Sequence, residues 1–318
     1  MQQCFSRAVS IVLAAGCLAV PSWVGNAARA QDAPTRAQLL EQGDQLLAQQ
    51  QYRRAIGAFE DAARLSTDAG CAECFLGLSR TYVAWGKAGK AVETARQALQ
   101  FNPPKPLLGR GYHQLAIALL AQSGRGADAI AEADGAFRKA LEIDSVAWNV
   151  DRFNLAGLLL QTSHPDEAVA LAREYLKNAP TGGAATDARM LICYARKGAA
   201  PAGEAAPEAG AEIEPPRPLY RQAPALRKKL QGSVLVQVGI DRDGCAVNPT
   251  VSGGMGNELD GVALEAVKRW VFQPATFQGR PVASDSIVSV NFTKDSEEIK
   301  DADKAFRDKL FAGWPAQK

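Results

Sequence analysis

The sequence predicts a multidomain chain. An all-α solenoid of about four helix pairs plus a closing helix comes first, followed by a small α+β domain with a three-stranded antiparallel sheet and one main helix. Three observations carry this reading. Small-residue anchors Ala55, Ala91, Ala133 and Ala168 recur at separations of 36, 42 and 35 residues. The stretch from Gly232 to Ile240 alternates strictly, with Val234, Val236, Val238 and Ile240 on one face, as a half-buried strand does. Between the two regions lies a segment rich in Pro, Ala, Gly and Glu and nearly free of large apolar residues.

The chain opens with Arg7 and an uncharged apolar run, Ala8 to Val24. Small residues at Ala28 and Ala30 fit the rule for signal-peptide cleavage, so residues 1–30 are read as an export signal. Two alternatives rank below it. Ala14-Ala-Gly-Cys17 loosely fits a lipoprotein site, with Cys17 as the lipidated residue. An uncleaved membrane anchor is third, because Pro21 interrupts a run shorter than the roughly 20 apolar residues a span needs.

The helical region is assigned to residues 35–198. Ala and Gly at the anchors let two antiparallel helices approach closely. Large residues such as Phe59 and Tyr82 then fill the gap to the next pair, and one pair alone cannot bury its apolar face. The spacing and residue types resemble the tetratricopeptide repeat (TPR), whose unit is about 34 residues. The third unit carries extra residues around Ser123 to Asp128, read as a longer loop. Asp187 to Lys197 reads as the closing helix, with Ala188, Leu191, Ile192 and Ala195 inward. Residues 199–217 are read as a disordered tether, reaching about 60 Å at roughly 3.1 Å per residue.

The second domain is assigned to residues 218–294. Asp241-Arg-Asp-Gly244 supplies turn chemistry, with Gly244 free to take positive φ. A short strand, Ala246 to Val251, follows and is broken by Gly253, Gly254 and Gly256. Leu259, Val262, Ala263, Ala266, Val267 and Trp270 recur at helical spacing. Val288, Val290 and Phe292 alternate in a final strand. The residues from 295 to 318 form a charged tail with Ile299, Ala302, Phe306 and Leu310 on one stripe, a short amphipathic helix expected to pack on its own domain.

Several landmarks of this domain occur together. They are Tyr220 with Ala223-Pro224, Ile240-Asp-Arg-Asp-Gly244, Ala266-Val-Lys-Arg-Trp270, Phe272-Gln-Pro-Ala275, Gly279-Arg-Pro-Val282 and Val288-Ser-Val-Asn-Phe292. In this order they resemble the C-terminal domain of the TonB family of periplasmic energy transducers, over about a quarter of the chain. The resemblance implies a domain without catalytic residues that binds a peptide segment of an outer-membrane receptor by pairing edge strands. The partner-binding residues would be Val288, Ser289, Val290, Asn291 and Phe292, with Ser289 and Asn291 outward. Family transducers carry a longer Pro-rich spacer and an uncleaved membrane helix, and this chain departs on both counts.

The remaining residues narrow the function classes. A net charge of +2 gives no case for a nucleic-acid partner. Cys71-Ala-Glu-Cys74 has the spacing of a redox or metal pair, but no second pair and no nearby His accompany it, so zinc is not expected. A local disulfide between Cys71 and Cys74 ranks just ahead of two small unbonded helix residues. Cys193 is expected in the core of the closing helix, and Cys245 has no evident partner. His113 is placed on a surface or groove and His164 in a solvated loop; neither has a nucleophile in a recognisable setting. No cofactor, metal or catalytic residue is expected. The expected protein is an exported interaction module with protein or peptide partners and no direct membrane contact beyond its N-terminal segment. The alternative is an anchored transducer driven by the proton-motive complex.

Overall fold

Helix pairs build the first two thirds of the molecule. A computed structural model describes residues 33–66, 70–122, 126–197, 212–224, 231–292, 301–312 and 314–315. The signal-peptide reading and the centre of the linker fall outside them. Four antiparallel hairpins succeed one another: α1 (Arg36–Ala48) with α2 (Tyr52–Arg64), α3 (Ala72–Ala84) with α4 (Ala88–Gln100), α5 (Lys105–Leu120) with α6 (Ala127–Ile143), and α7 (Asn149–Gln161) with α8 (Pro165–Asn178). A single helix, α9 (Ala185–Ala195), closes the array.

The predicted anchors sit where the helices cross. Ala55, Ala91, Ala133 and Ala168 are fully buried. Phe59 shows why glycine stands at its neighbours: a Cβ on Gly43 would lie 2.6 Å from its ring, and one on Gly77 would lie 2.4 Å from it. One side chain thereby joins α1, α2 and α3, and burying it contributes about 2–3 kcal/mol. The extra length of the third unit is shared between its connection and its helices, which run to 16 and 17 residues where α1 to α4 have 13. The odd helices meet one another, α1 with α3, α3 with α5 and α7 with α9, while the even helices pack on odd neighbours. The odd helices therefore lie closer to one another than the even ones do, and form the inner wall of the array.

The second domain is a three-stranded antiparallel sheet in the order β3-β2-β7, crossed by one helix. Its strands are β2 (Gly232–Ile240), β3 (Ala246–Gly253) and β7 (Ser284–Phe292), and its helix is α10 (Asn257–Val267). Val234, Val236 and Val238 are fully buried and meet Leu259, Ala263, Val267 and Trp270 beneath them. The Trp270 indole donates to the Gln222 carbonyl at 3.0 Å, which satisfies its buried N–H. Two small ladders flank the sheet: β1 (Arg217–Tyr220) pairs with β4 (Val271–Gln273), and β5 (Ala275–Phe277) with β6 (Arg280–Val282). Glu214 also exchanges backbone hydrogen bonds with Thr276, at 2.9 and 3.1 Å. Glu214 and Arg217, read from sequence as tether, thus pair within this domain.

From Thr35 onward the chain is one unit, and the two regions touch. The tail helix, α11 (Ala302–Leu310), departs from expectation. It does not pack on the sheet domain alone. Phe306 stacks on Tyr194 of α9 at 6.1 Å and meets Tyr220 of β1 edge-on at 5.4 Å, so the tail bridges both regions. An aromatic on a stripe finds the nearest uncovered apolar surface, and here that surface lies at the joint.

Candidate functional site: protein-docking surfaces

The turn between β2 and β3 is one of the places where the sheet domain meets the array, beside β4, which packs on α9. Gly244 has φ +91, a conformation open to glycine, and a Cβ there would lie 2.0 Å from the Phe272 carbonyl oxygen. Asp241 organises the turn through Oδ1, which accepts from the amides of Asp243 and Cys245, both at 3.0 Å. Its Oδ2 takes Arg196 of α9 at 2.8 Å. Asp243 accepts Arg173 of α8 through both carboxylate oxygens, at 3.1 and 2.6 Å, and Arg196 at 2.7 Å. Both aspartates are buried. The fork of hydrogen bonds to Asp243 raises the Arg173 pKa. Burial lowers that of Arg189, the next cation along the joint.

A disulfide completes this joint. Cys193 of α9 is bonded to Cys245, with a Cα–Cα distance of 5.4 Å. Cys193 therefore does not sit in the closing helix's core as expected; it is half-buried and faces the other domain. Beside the disulfide lies a cavity of about 210 Å³, lined by Arg196, Asp241, Arg269 and Phe306 among others. Arg269 and Lys197 both pair with Asp303 of the tail and hold its carboxyl below the usual carboxylate range.

The opposite margin of the sheet is different in kind. β7 pairs with β2 in unbroken register from Ile240↔Ser284 to Gly232↔Phe292. No strand lies on its other side among the described residues. Val290 and Phe292 point into the core, Val288 is half-buried, and Ser289 and Asn291 are exposed. The Ser289 hydroxyl lies 2.7 Å from that of Ser233 and donates to Asn291 at 2.9 Å. Ile287 and Leu235 add exposed apolar surface on the outer face. The other margin, β3, is irregular. Its register with β2 shifts twice, Asn248 takes φ 47, and Pro249 lacks an N–H.

Cys71 and Cys74 are joined across the first turn of α3, where the Cys71 sulfur also accepts from the Cys74 amide at 3.1 Å. His113 is not on a surface: it is buried, its Nδ1 lies 2.7 Å from Asp151 of α7, and its ring stacks on Trp148. Helical periodicity hid this, because His113 and Asp151 lie on different hairpins. Asp151 Oδ2 has no partner among the described residues. His164 is exposed at the start of α8, as expected. Among the described residues no three His, Cys, Asp or Glu side chains converge to hold a metal ion, and no helix is long and apolar enough to cross a membrane.

Known proteins resemble the two regions separately. Residues 217–293 match the family described as Gram-negative bacterial TonB protein C-terminal. Protein TonB of Xanthomonas campestris pv. campestris (strain B100) is 36% identical over 76 residues, 24% of this chain and 34% of that protein. Protein TonB of Vibrio cholerae serotype O1 is 30% identical over 83 residues, 26% of this chain and 32% of that protein. The chain thus spans about a third of the length of these relatives. A thermophilic TPR protein of Thermus thermophilus is similar over 51% of this chain and 82% of its own, at 19% identity and a TM-score of 0.41. The MamA protein is similar over 51% and 81%, at 17% identity and a TM-score of 0.42.

Proposed function

We propose that this is an exported, periplasmic protein that works by contact. Its helical array docks one protein, and its sheet domain captures an extended peptide by strand addition along β7. One observation carries the reading. β7 offers nine residues in even register, with no proline and no strand on its far side among the described residues, whereas β3 is bulged and interrupted by Pro249. An incoming peptide would satisfy the unpaired N–H and C=O groups of that margin. Ser289 and Asn291 would line its path, beside the apolar surface of Ile287. The natural peptide under this reading is a segment of an outer-membrane receptor, and the setting is TonB-dependent transport. Catalysis has no part in it.

Site-specific photocrosslinking tests the assignment in the native host. A photoreactive side chain at Ser289 or Asn291 is expected to capture an envelope protein, and one at Val247 or Thr250 on β3 is not. Capture from β3 alone, or from neither strand, would sink the assignment. The membrane-anchored transducer remains the second reading, favoured by the TonB relatives of residues 217–293. The mass of the protein isolated from its host separates the two: loss of residues 1–30 supports export, and an intact N-terminus in the membrane fraction supports the anchor.

A further inference from the structure

The inner wall of the array is already filled at its far end by the chain's own C-terminus. Asn154, Gly157 and Gln161 recur three and four residues apart on α7 and so share one face. Trp314 lies on that face. Its Nε1 donates to the Asn154 carbonyl at 3.2 Å, and a Cβ on Gly157 would lie 2.2 Å from the same atom. Glycine within a helix interior weakens the helix unless close approach requires it; here the approaching group is an indole. Phe311 meets Trp314 edge-on at 5.8 Å, and Phe306 stacks on Tyr194 one helix further along. Beside them a cleft of about 500 Å³, bounded by Leu120, Gln161, Arg307 and Phe311, is left unfilled.

We propose that this end of the inner wall is a docking groove for an amphipathic helical segment with aromatics spaced as Phe306, Phe311 and Trp314. The tail is its resident occupant, and a partner segment of the same chemistry must displace it. Three points on the molecule support this. α11 has nine residues, too few to hold a helix alone in water, so its order comes from the wall it covers. The seat for Trp314 is built into α7 by Gly157. The tail's charge is matched as a ligand's would be: Asp303 is shared between Lys197 and Arg269. Displacing the tail also withdraws Phe306 from Tyr220 and Asp303 from Arg269.

The inference rests on reading the array as a docking surface, and its test is independent of β7. The probe is a fluorescein-labelled synthetic peptide of residues 299–318, followed by anisotropy. Full-length chain carrying Phe306→Asp and Trp314→Ala is expected to bind it at least tenfold more tightly than the wild type. A peptide with Phe306, Phe311 and Trp314 all replaced by Ala should not bind. Equal binding by both proteins, or none by a variant that keeps wild-type helical circular dichroism, overturns the proposal. If that variant does not fold, Gly157→Leu in the intact chain fills the Trp314 seat, and amides 303–312 should lose hydrogen-exchange protection. Unchanged protection there overturns it equally. Either failure leaves the crosslinking from Ser289 and Asn291 as it stands.

Discussion

The two ends of β2 meet opposite fates. At Ile240 the strand runs into a turn that is buried, charged and covalently tied to the array through Asp241, Asp243 and Cys245. At Gly232 it ends beside Phe292, on the margin where β7 has no outer neighbour among the described residues. Because Ser284 pairs with Ile240, the open margin begins at the joint and runs away from it for about 27 Å at 3.4 Å per residue. The difference teaches how a small domain can present an edge in a fixed direction. The pinned end lies opposite the open one, and Val288 to Phe292, the residues proposed to meet a peptide, lie on the distal half.

Breaking the pin at its strongest point should have the largest effect. Cys193 and Cys245 are 52 residues apart, so loop-closure entropy assigns their bond about 4 kcal/mol. The Cys71–Cys74 bond spans three residues and is assigned about 2 kcal/mol. Urea unfolding of the two double Cys→Ser variants should preserve that order; an equal or reversed loss would mean that the joint does not hold the sheet domain. Next comes Gly244→Val, which combines φ +91 with the contact to the Phe272 carbonyl and should cost about 3 kcal/mol. Gly279 is the comparison: its φ is +75 but nothing lies within 4 Å of a Cβ, so Gly279→Ala should cost only about 1 kcal/mol.

The ion cluster sharpens the contrast further. Asp243→Asn keeps the shape of the turn but removes the charge that two arginines share, and should cost about 2 kcal/mol. Ser289→Ala on the open margin should change stability by less than about 0.5 kcal/mol. A Ser289→Ala loss as large as that of Asp243→Asn would show that β7 carries structural load and is not a free edge.

Much of this architecture was legible from periodicity. Val234, Val236, Val238 and Ile240 announced the core face of β2, and the recurring alanines announced the helix crossings, because both signals are local. The joint was not local. Asp241 and Asp243 read as turn chemistry, which Asp241 does supply through Oδ1, and nothing in the turn reveals that its other oxygen meets Arg196. Cys193 and Cys245 lie in different domains, so spacing could not pair them. The Phe306 and Leu310 stripe on the tail was visible, but an amphipathic stripe states that a face is covered and not by what. His113 and Asp151 met for the same reason that they were missed: the contact belongs to the stacking of hairpins, not to either helix.

The smallest effect concerns two carboxyls, Asp303 on the tail and Asp187 on α9, that respond to acid in opposite directions. Hydrogen bonds from Lys197 and then Arg269 hold the Asp303 pKa below its ordinary value. Its ionised form therefore favours the folded state, and that contribution is lost as pH falls through the folded pKa. Burial raises the Asp187 pKa, with Lys309 offsetting part of the rise. Its ionised form opposes folding at neutral pH, and that penalty is relieved as pH falls through its raised value. Acidification from neutrality should thus first strengthen this part of the molecule through Asp187 and then weaken it through Asp303. Solvent screening keeps the Asp303 limb shallow, because its side chain is 48% exposed. Thermal unfolding across this range should show Asp187→Asn removing the early rise and Asp303→Asn flattening the later fall. Two variants that alter the same limb in the same direction would show that the tail does not set these two charges against each other, and the contrast between a matched ligand and a merely covering helix would go with it.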